Sequence, residues 1–239
     1  MKLLKTISAI TCLAATMASC NSSDKKTDST TTDSTTAKHD STTAAPAKPG
    51  NILVVMHKVT DFDKWLPVFE SDDSAQKANG LTRNIVARGI DDPSMVLIGF
   101  KMADYDKAKA MTGSPDLKAK MEKGGVTGAP MFHFENMQVM DTSTNSMADR
   151  VIIFHKVKDY DAWKKSFDDH KDARKANGLT DRAVGYGFDD KTNVAVVLCI
   201  NDMKKARDFS KSPELKAKMD SAGVIGKPDM FYYHVVKQY

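Results

Sequence analysis

Cysteine is scarce in this chain: Cys12 and Cys20 fall near the N-terminus, and Cys199 stands alone. No disulfide framework can form within residues 51–239, and no Cys-x-x-Cys or His-x-x-x-His spacing suggests a redox or metal site. The six histidines are scattered, so no preformed metal or haem site, and no cofactor, is expected. Neither a glycine-rich phosphate loop nor a Gly-x-Ser-x-Gly elbow occurs. The net charge is only +4, with lysines and acids interspersed, which leaves no basic stripe for nucleic acid. Cys199 lies in an apolar run, Val194 to Ile200, and reads as a buried small hydrophobe.

The N-terminus is where cysteine acquires meaning. Lys2 and Lys5 precede an apolar stretch, Ile7 to Ala18, that is too short to span a bilayer. It ends in Met17-Ala18-Ser19-Cys20, which resembles the bacterial lipobox, with Met where that motif prefers Leu or Val. The resemblance implies that residues 1–19 are a signal peptide and that Cys20 is lipidated. The chain would then sit in the cell envelope, anchored to membrane lipid at the outer membrane, on its periplasmic face or at the cell surface. Several acyl chains on one cysteine give stable anchoring, because each buried CH₂ contributes about 0.8 kcal/mol.

Residues 20–50 contain almost only Ser, Thr, Asp, Lys, Ala and Pro after the cysteine. Such a segment has too little apolar surface to offset chain entropy and is expected to be a disordered tether spanning roughly 30 Å. Asp-Ser-Thr occurs three times and resembles an O-glycosylation acceptor motif, with Ser29, Ser34 and Ser41 as the acceptors. Compositional drift in a Ser/Thr/Asp tract explains the triplets equally well.

The strongest pattern is an internal repeat. Residues 53–141 align without a gap to 151–239 at an offset of 98, with 33 identities in 89 positions. His57-Lys58-Val59 faces His155-Lys156-Val157, Trp65 faces Trp163, and Ser114-Pro115 faces Ser212-Pro213. The boundaries are 51–141 for the first repeat, 142–148 for a polar linker and 149–239 for the second.

Each repeat parses alike. Ile52 to Val59 is a β-branched strand, apolar on both faces and so buried on both. Asp61 is an N-cap, Phe62, Trp65 and Phe69 form a helical stripe, and Gly80 ends that helix in the left-handed region. Leu81 to Ile90 and Met95 to Met102 form a hairpin across Asp91-Asp92-Pro93-Ser94. Short helices open near Asp104 and at Ser114-Pro115, and a strand from Met131 to Met140 closes the unit. The order βαββαβ is that of an α+β, ferredoxin-like module. Its helix-free sheet face would be a large exposed apolar surface in a single copy. The two copies are therefore expected to pair within the chain as a pseudo-dimeric barrel, which removes the need for an obligate homodimer.

With that pairing, the run His-Lys-Val-x-Asp-(Phe/Tyr)-Asp-x-Trp and the later Ser-Pro-x-Leu resemble small members of the dimeric α+β barrel superfamily, which includes antibiotic-biosynthesis monooxygenase-like domains. The resemblance implies the fold. It does not choose among the cofactor-independent oxygenases, haem-degrading enzymes, isomerases, chlorite dismutase-like enzymes and proteins with no known activity in that group.

The candidate site residues are those that both repeats keep. His57 and His155 can act as general base or ligand-binding donor, or simply pack beside a tryptophan. Trp65 and Trp163 either line a pocket or fill the core. Asp61 and Asp159 could orient the histidines, although N-capping already accounts for them. Arg88 differs from Tyr186 and His133 from Phe231, and Tyr232, Tyr233 and His234 form an aromatic cluster only in the second repeat. Two functions remain open: an accessory protein binding a small, partly apolar ligand, or a cofactor-independent monooxygenase or isomerase acting on a small aromatic or apolar substrate.

Overall fold

A computed structural model describes residues 50–141 and 149–239. The expected signal segment 1–19, Cys20, Ser29, Ser34, Ser41 and residues 142–148 lie outside the described residues. The first repeat runs β1 (Asn51–Val59), α1 (Phe62–Glu70), α2 (Asp73–Ala78), β2 (Leu81–Gly89), β3 (Met95–Met102), α3 (Tyr105–Thr112), α4 (Pro115–Lys123) and β4 (Val126–Met140). The second repeats the order as β5 (Asp149–Val157), α5 (Tyr160–Asp169), α6 (Lys171–Ala176), β6 (Leu179–Gly187), β7 (Asn193–Ile200), α7 (Met203–Ser210), α8 (Pro213–Ser221) and β8 (Val224–Gln238).

Local chemistry sets these elements. Asp61 caps α1 by accepting from the Asp63 and Lys64 backbone N–H groups at 3.0 and 3.1 Å. Asp159 caps α5 through Ala162 at 2.7 Å. Ser114 and Ser212 cap α4 and α8, each followed by proline at the first helical position. Gly80 and Gly178 turn the chain at φ +73° and +74°, where a side chain would be strained.

Two boundaries depart from the sequence reading. The helix after β1 is broken into α1 and α2, because the buried Arg83 guanidinium donates to the Phe69 and Glu70 carbonyls at 3.0 and 2.9 Å. The guanidinium thereby satisfies carbonyls that the ending helix leaves without full partners. Strand β4 begins at Val126 rather than Met131. Gly128 and Pro130 suggest a loop, but pairing with β1 continues past them through an irregularity in register between Met56 and Lys58.

Within each repeat the sheet is antiparallel, in the order β4-β1-β3-β2 and β8-β5-β7-β6. Two seams, β2–β8 and β6–β4, close the eight strands into one barrel. The described residues thus form two fused ferredoxin-like repeats of α+β architecture, with eight antiparallel strands and eight helices. Strand alternation sorts the core into three. Val54, Met56, Leu97, Ile152, Val197 and Tyr233 face the lumen. Leu53, Val55 and Trp65 pack under the helices of the first repeat, and Val151, Val157 and Trp163 under those of the second. The inner faces that a lone repeat would expose are enclosed here, and closure leaves no free sheet edge for another chain to extend.

Candidate ligand cavities between helices and sheet

His57 sits near the end of β1 and points outward, towards the helices. Its ring meets Trp65 edge-on, with centroids 5.6 Å apart, and Trp65 stacks on Phe69 at 5.0 Å. The second repeat reproduces the arrangement: His155 lies 5.2 Å from Trp163, which stacks on Phe167 at 5.1 Å. Each trio walls an apolar cavity, of about 70 Å³ in the first repeat and about 90 Å³ in the second. Either volume has room for about five water-sized groups.

Neither nitrogen of either imidazole has a hydrogen-bond partner. Burial pushes both rings down to a pKa of about 4, so both are neutral near pH 7. A neutral imidazole carries one donor and one acceptor. Leaving such groups buried and unmatched costs about 1–3 kcal/mol each, so a guest able to pair with them is favoured. Asp61 and Asp159 do not orient the rings. Their carboxylates are spent on the helix N-termini, and the imidazoles receive no bond from them.

Arg174 lines the second cavity, whereas Gln76 lines the first, with Arg83 behind it. In the first, Arg83 donates to Gln76 Oε1 at 2.7 Å and lies over the Phe69 ring at 4.7 Å. In the second, Arg174 takes the place of Gln76, pairs with both oxygens of Asp181 at 2.7 Å and covers Phe167 at 3.5 Å. Both arginines satisfy the carbonyl that ends the preceding helix, Phe69 or Phe167. The rims also differ. Asp72 pairs with Lys120 at the first cavity, whereas His170 stands in the aspartate's place at the second and faces Glu214 at 3.7 Å.

The other residues singled out in the sequence disperse. Arg88 donates to the Pro93 carbonyl and covers Phe62, while Tyr186 packs edge-on against Tyr160 at 4.8 Å. Tyr232, Tyr233 and His234 do not form a cluster, because alternation separates them. Tyr232 lines the second cavity, Tyr233 is buried in the lumen, and His234 is exposed and bonded to Asp149 at 2.7 Å. His133 faces the lumen and stacks on Phe154 at 3.8 Å.

Sequence reasoning missed one group altogether. Glu135 is 4% exposed, one of its oxygens has no partner, and burial raises its pKa to about 8. Its signal was a lone acid in an apolar strand, at the position where the second repeat has Tyr233.

No protein-family model matches the sequence, and no curated protein matches it. Among solved structures, an anthrone oxidase-like protein superposes with a TM-score of 0.54 at 15% identity, over 80% of this chain and 93% of the other. A Fusobacterium nucleatum protein named as a candidate monooxygenase gives 0.52 at 14% identity, over 80% and 94%. The likeness is one of fold: both share the ferredoxin-like barrel, and at these identities it extends no further.

Proposed function

We propose that the chain is an envelope lipoprotein, anchored through Cys20, whose two helix–sheet cavities each bind a small and largely apolar molecule by one neutral imidazole. The observation behind this reading is the pair of buried, unpartnered rings of His57 and His155, each set in an apolar wall beside a tryptophan. An imidazole with a pKa of about 4 exchanges hydrogen bonds well but is a weak general base at neutral pH, where the best catalysts have pKa values near the working pH. Binding is therefore favoured over proton abstraction.

The two tryptophans are the only ones in the chain, and each reports on one cavity. Phenol is expected to quench their emission saturably. The His57→Leu/His155→Leu variant should bind phenol about tenfold more weakly, the equivalent of one hydrogen bond of about 1.4 kcal/mol, while benzene binds no worse. Phenol affinity unchanged in the variant would remove the imidazoles from the site. For the anchor, Cys20→Ala expressed in a Gram-negative host should shift the protein from the membrane to the soluble fraction; continued membrane retention would refute lipidation there.

A second reading, cofactor-independent oxygenation of a small aromatic substrate, draws on the descriptions given to the two solved structures of like fold. It requires dioxygen uptake with anthrone or a quinol that is lost in the double variant, and we expect no such uptake.

A further inference from the structure

A second kind of site lies at the end of the barrel carrying the β2–β3 and β6–β7 turns, where it borders the second helix–sheet cavity through His155, which lines both. A cavity of about 460 Å³ opens there, lined by His133, Glu135, Phe154, Gly187, Phe188 and Asn193. It breaks the internal symmetry. At the corresponding place in the other half, Phe231 packs over Gly89, 3.1 Å from where a Cβ would stand, and Tyr233 replaces the acid. His133 instead turns to stack on Phe154, so no ring covers Gly187, whose nearest neighbours are the Asp190 carbonyl and Asn193. Glu135 lines this space, almost wholly buried and with one oxygen unpartnered.

The surroundings specify the guest. Lys156 is engaged with Asp190 at 3.6 Å, and Asp189 with Lys109 at 2.8 Å. Among the described residues, the carboxylates near His133 that have no such cation are Glu135 and Asp229. The walls include two aromatic rings, Phe154, stacked on His133, and Phe188, stacked on Tyr105 at 4.0 Å, and such rings attract cations. An apolar space holding an unmatched carboxyl group favours a guest that brings positive charge on an apolar body. We infer that this end of the lumen binds a small organic cation, an amine or quaternary ammonium, with Glu135 as its counter-ion.

The proton on Glu135 provides the test. Burial holds that proton up to about pH 8, so a permanently charged guest must displace it. Among the other groups facing the cavity, His155 is held by burial at about 4 and stays neutral between pH 6 and 8, and His133 is lowered by burial as well. Asp189 and Asp190 are held below the usual carboxylate range; Asp229 lies beside His133, and Lys156 stays paired with Asp190.

Benzyltrimethylammonium titrated calorimetrically into the full chain should bind at one site. Its affinity should rise up to about tenfold per pH unit from pH 6 and level off above about pH 8. Glu135→Gln should abolish the binding. His133→Phe, which installs the side chain found at the equivalent position 231, should close the cavity and abolish it as well, with thermal stability retained as a check on folding. Benzyl alcohol, lacking the charge, should show no pH dependence. Absence of saturable binding, an affinity flat between pH 6 and 8, or wild-type affinity in Glu135→Gln would each overturn the assignment.

Discussion

Stability should peak near pH 6.5 and fall on both sides, because the buried groups oppose one another. His57 and His155 have folded pKa values of about 4 against 6.5 when exposed. The unfolded chain therefore binds more protons than the folded one between those values. The stability they contribute is present above pH 6.5 and lost as pH falls through 4, on the order of 3 kcal/mol for each ring. Glu135 acts in the opposite sense. Its folded value of about 8 against 4.5 means that its contribution is intact below pH 4.5 and lost as pH rises through 8. The net slope is about 1.4 kcal/mol per pH unit on each side of the maximum, steepening to about 2.7 below pH 4.5. His133, also lowered by burial, reinforces the acid limb. Surface aspartates such as Asp92, held at about 2 by Lys58 and Ser94, add losses only below about pH 4. Urea titrations from pH 4.5 to 8.5 would trace this profile. Glu135→Gln should erase the alkaline limb, and His57→Leu/His155→Leu should abolish the fall between pH 6.5 and 4.5. A limb surviving in the variant designed to remove it would show that its cause has been misassigned.

The second large effect is expected at one seam. Gly185 in β6 faces Met137 in β4. A Cβ on Gly185 would stand 2.5 Å from the Asn136 carbonyl oxygen and 2.8 Å from both the Met137 Cα and its sulfur. Two of those atoms are backbone, so the clash cannot be relieved by rotating a side chain; the strands must part. The other seam carries Ala87 at the equivalent position, opposite Val235 and fully buried, so it already accommodates a methyl group. Gly185→Ala should therefore cost about 3 kcal/mol or more, whereas Ala87→Gly should cost only about 1 kcal/mol. Urea midpoints for the two variants would decide the matter, and a Gly185→Ala change within about 0.5 kcal/mol of wild type would mean that the seam is looser than its geometry.

The parts of this architecture legible in the sequence are those governed by local rules. The ungapped offset of 98 announced two copies of one unit. Apolar residues on both faces of β1 announced burial from both sides, and the structure divides them between helices and lumen. Ser114-Pro115 and Gly80 marked helix ends correctly. What escaped depends on contacts distant in sequence. The break between α1 and α2 is made by Arg83, on the following strand, and no propensity within the helix signals it. The β4 start was hidden because Gly128 and Pro130 imitate a loop while the neighbouring strand holds them in register. In the site, the tryptophan-flanked histidines were legible as a retained pair. Their lack of partners was not, because it depends on Asp61 and Asp159 turning to the backbone. Glu135 was passed over because an acid in a strand usually faces water, and only closure of the barrel turns it inward.

That closure, with both halves on one chain, changes what the lumen can tolerate. In an assembly of two identical subunits each residue facing the axis appears in duplicate, so an acid at position 135 would bring a second buried carboxyl group across the same enclosed space, where two like charges cannot both ionise. A tandem chain is free of that arithmetic. One half carries an aromatic plug, Phe231 with Tyr233, and the other a histidine and an acid, His133 with Glu135. Fusion has thus turned an interface bound to be its own mirror into one that can hold two different faces.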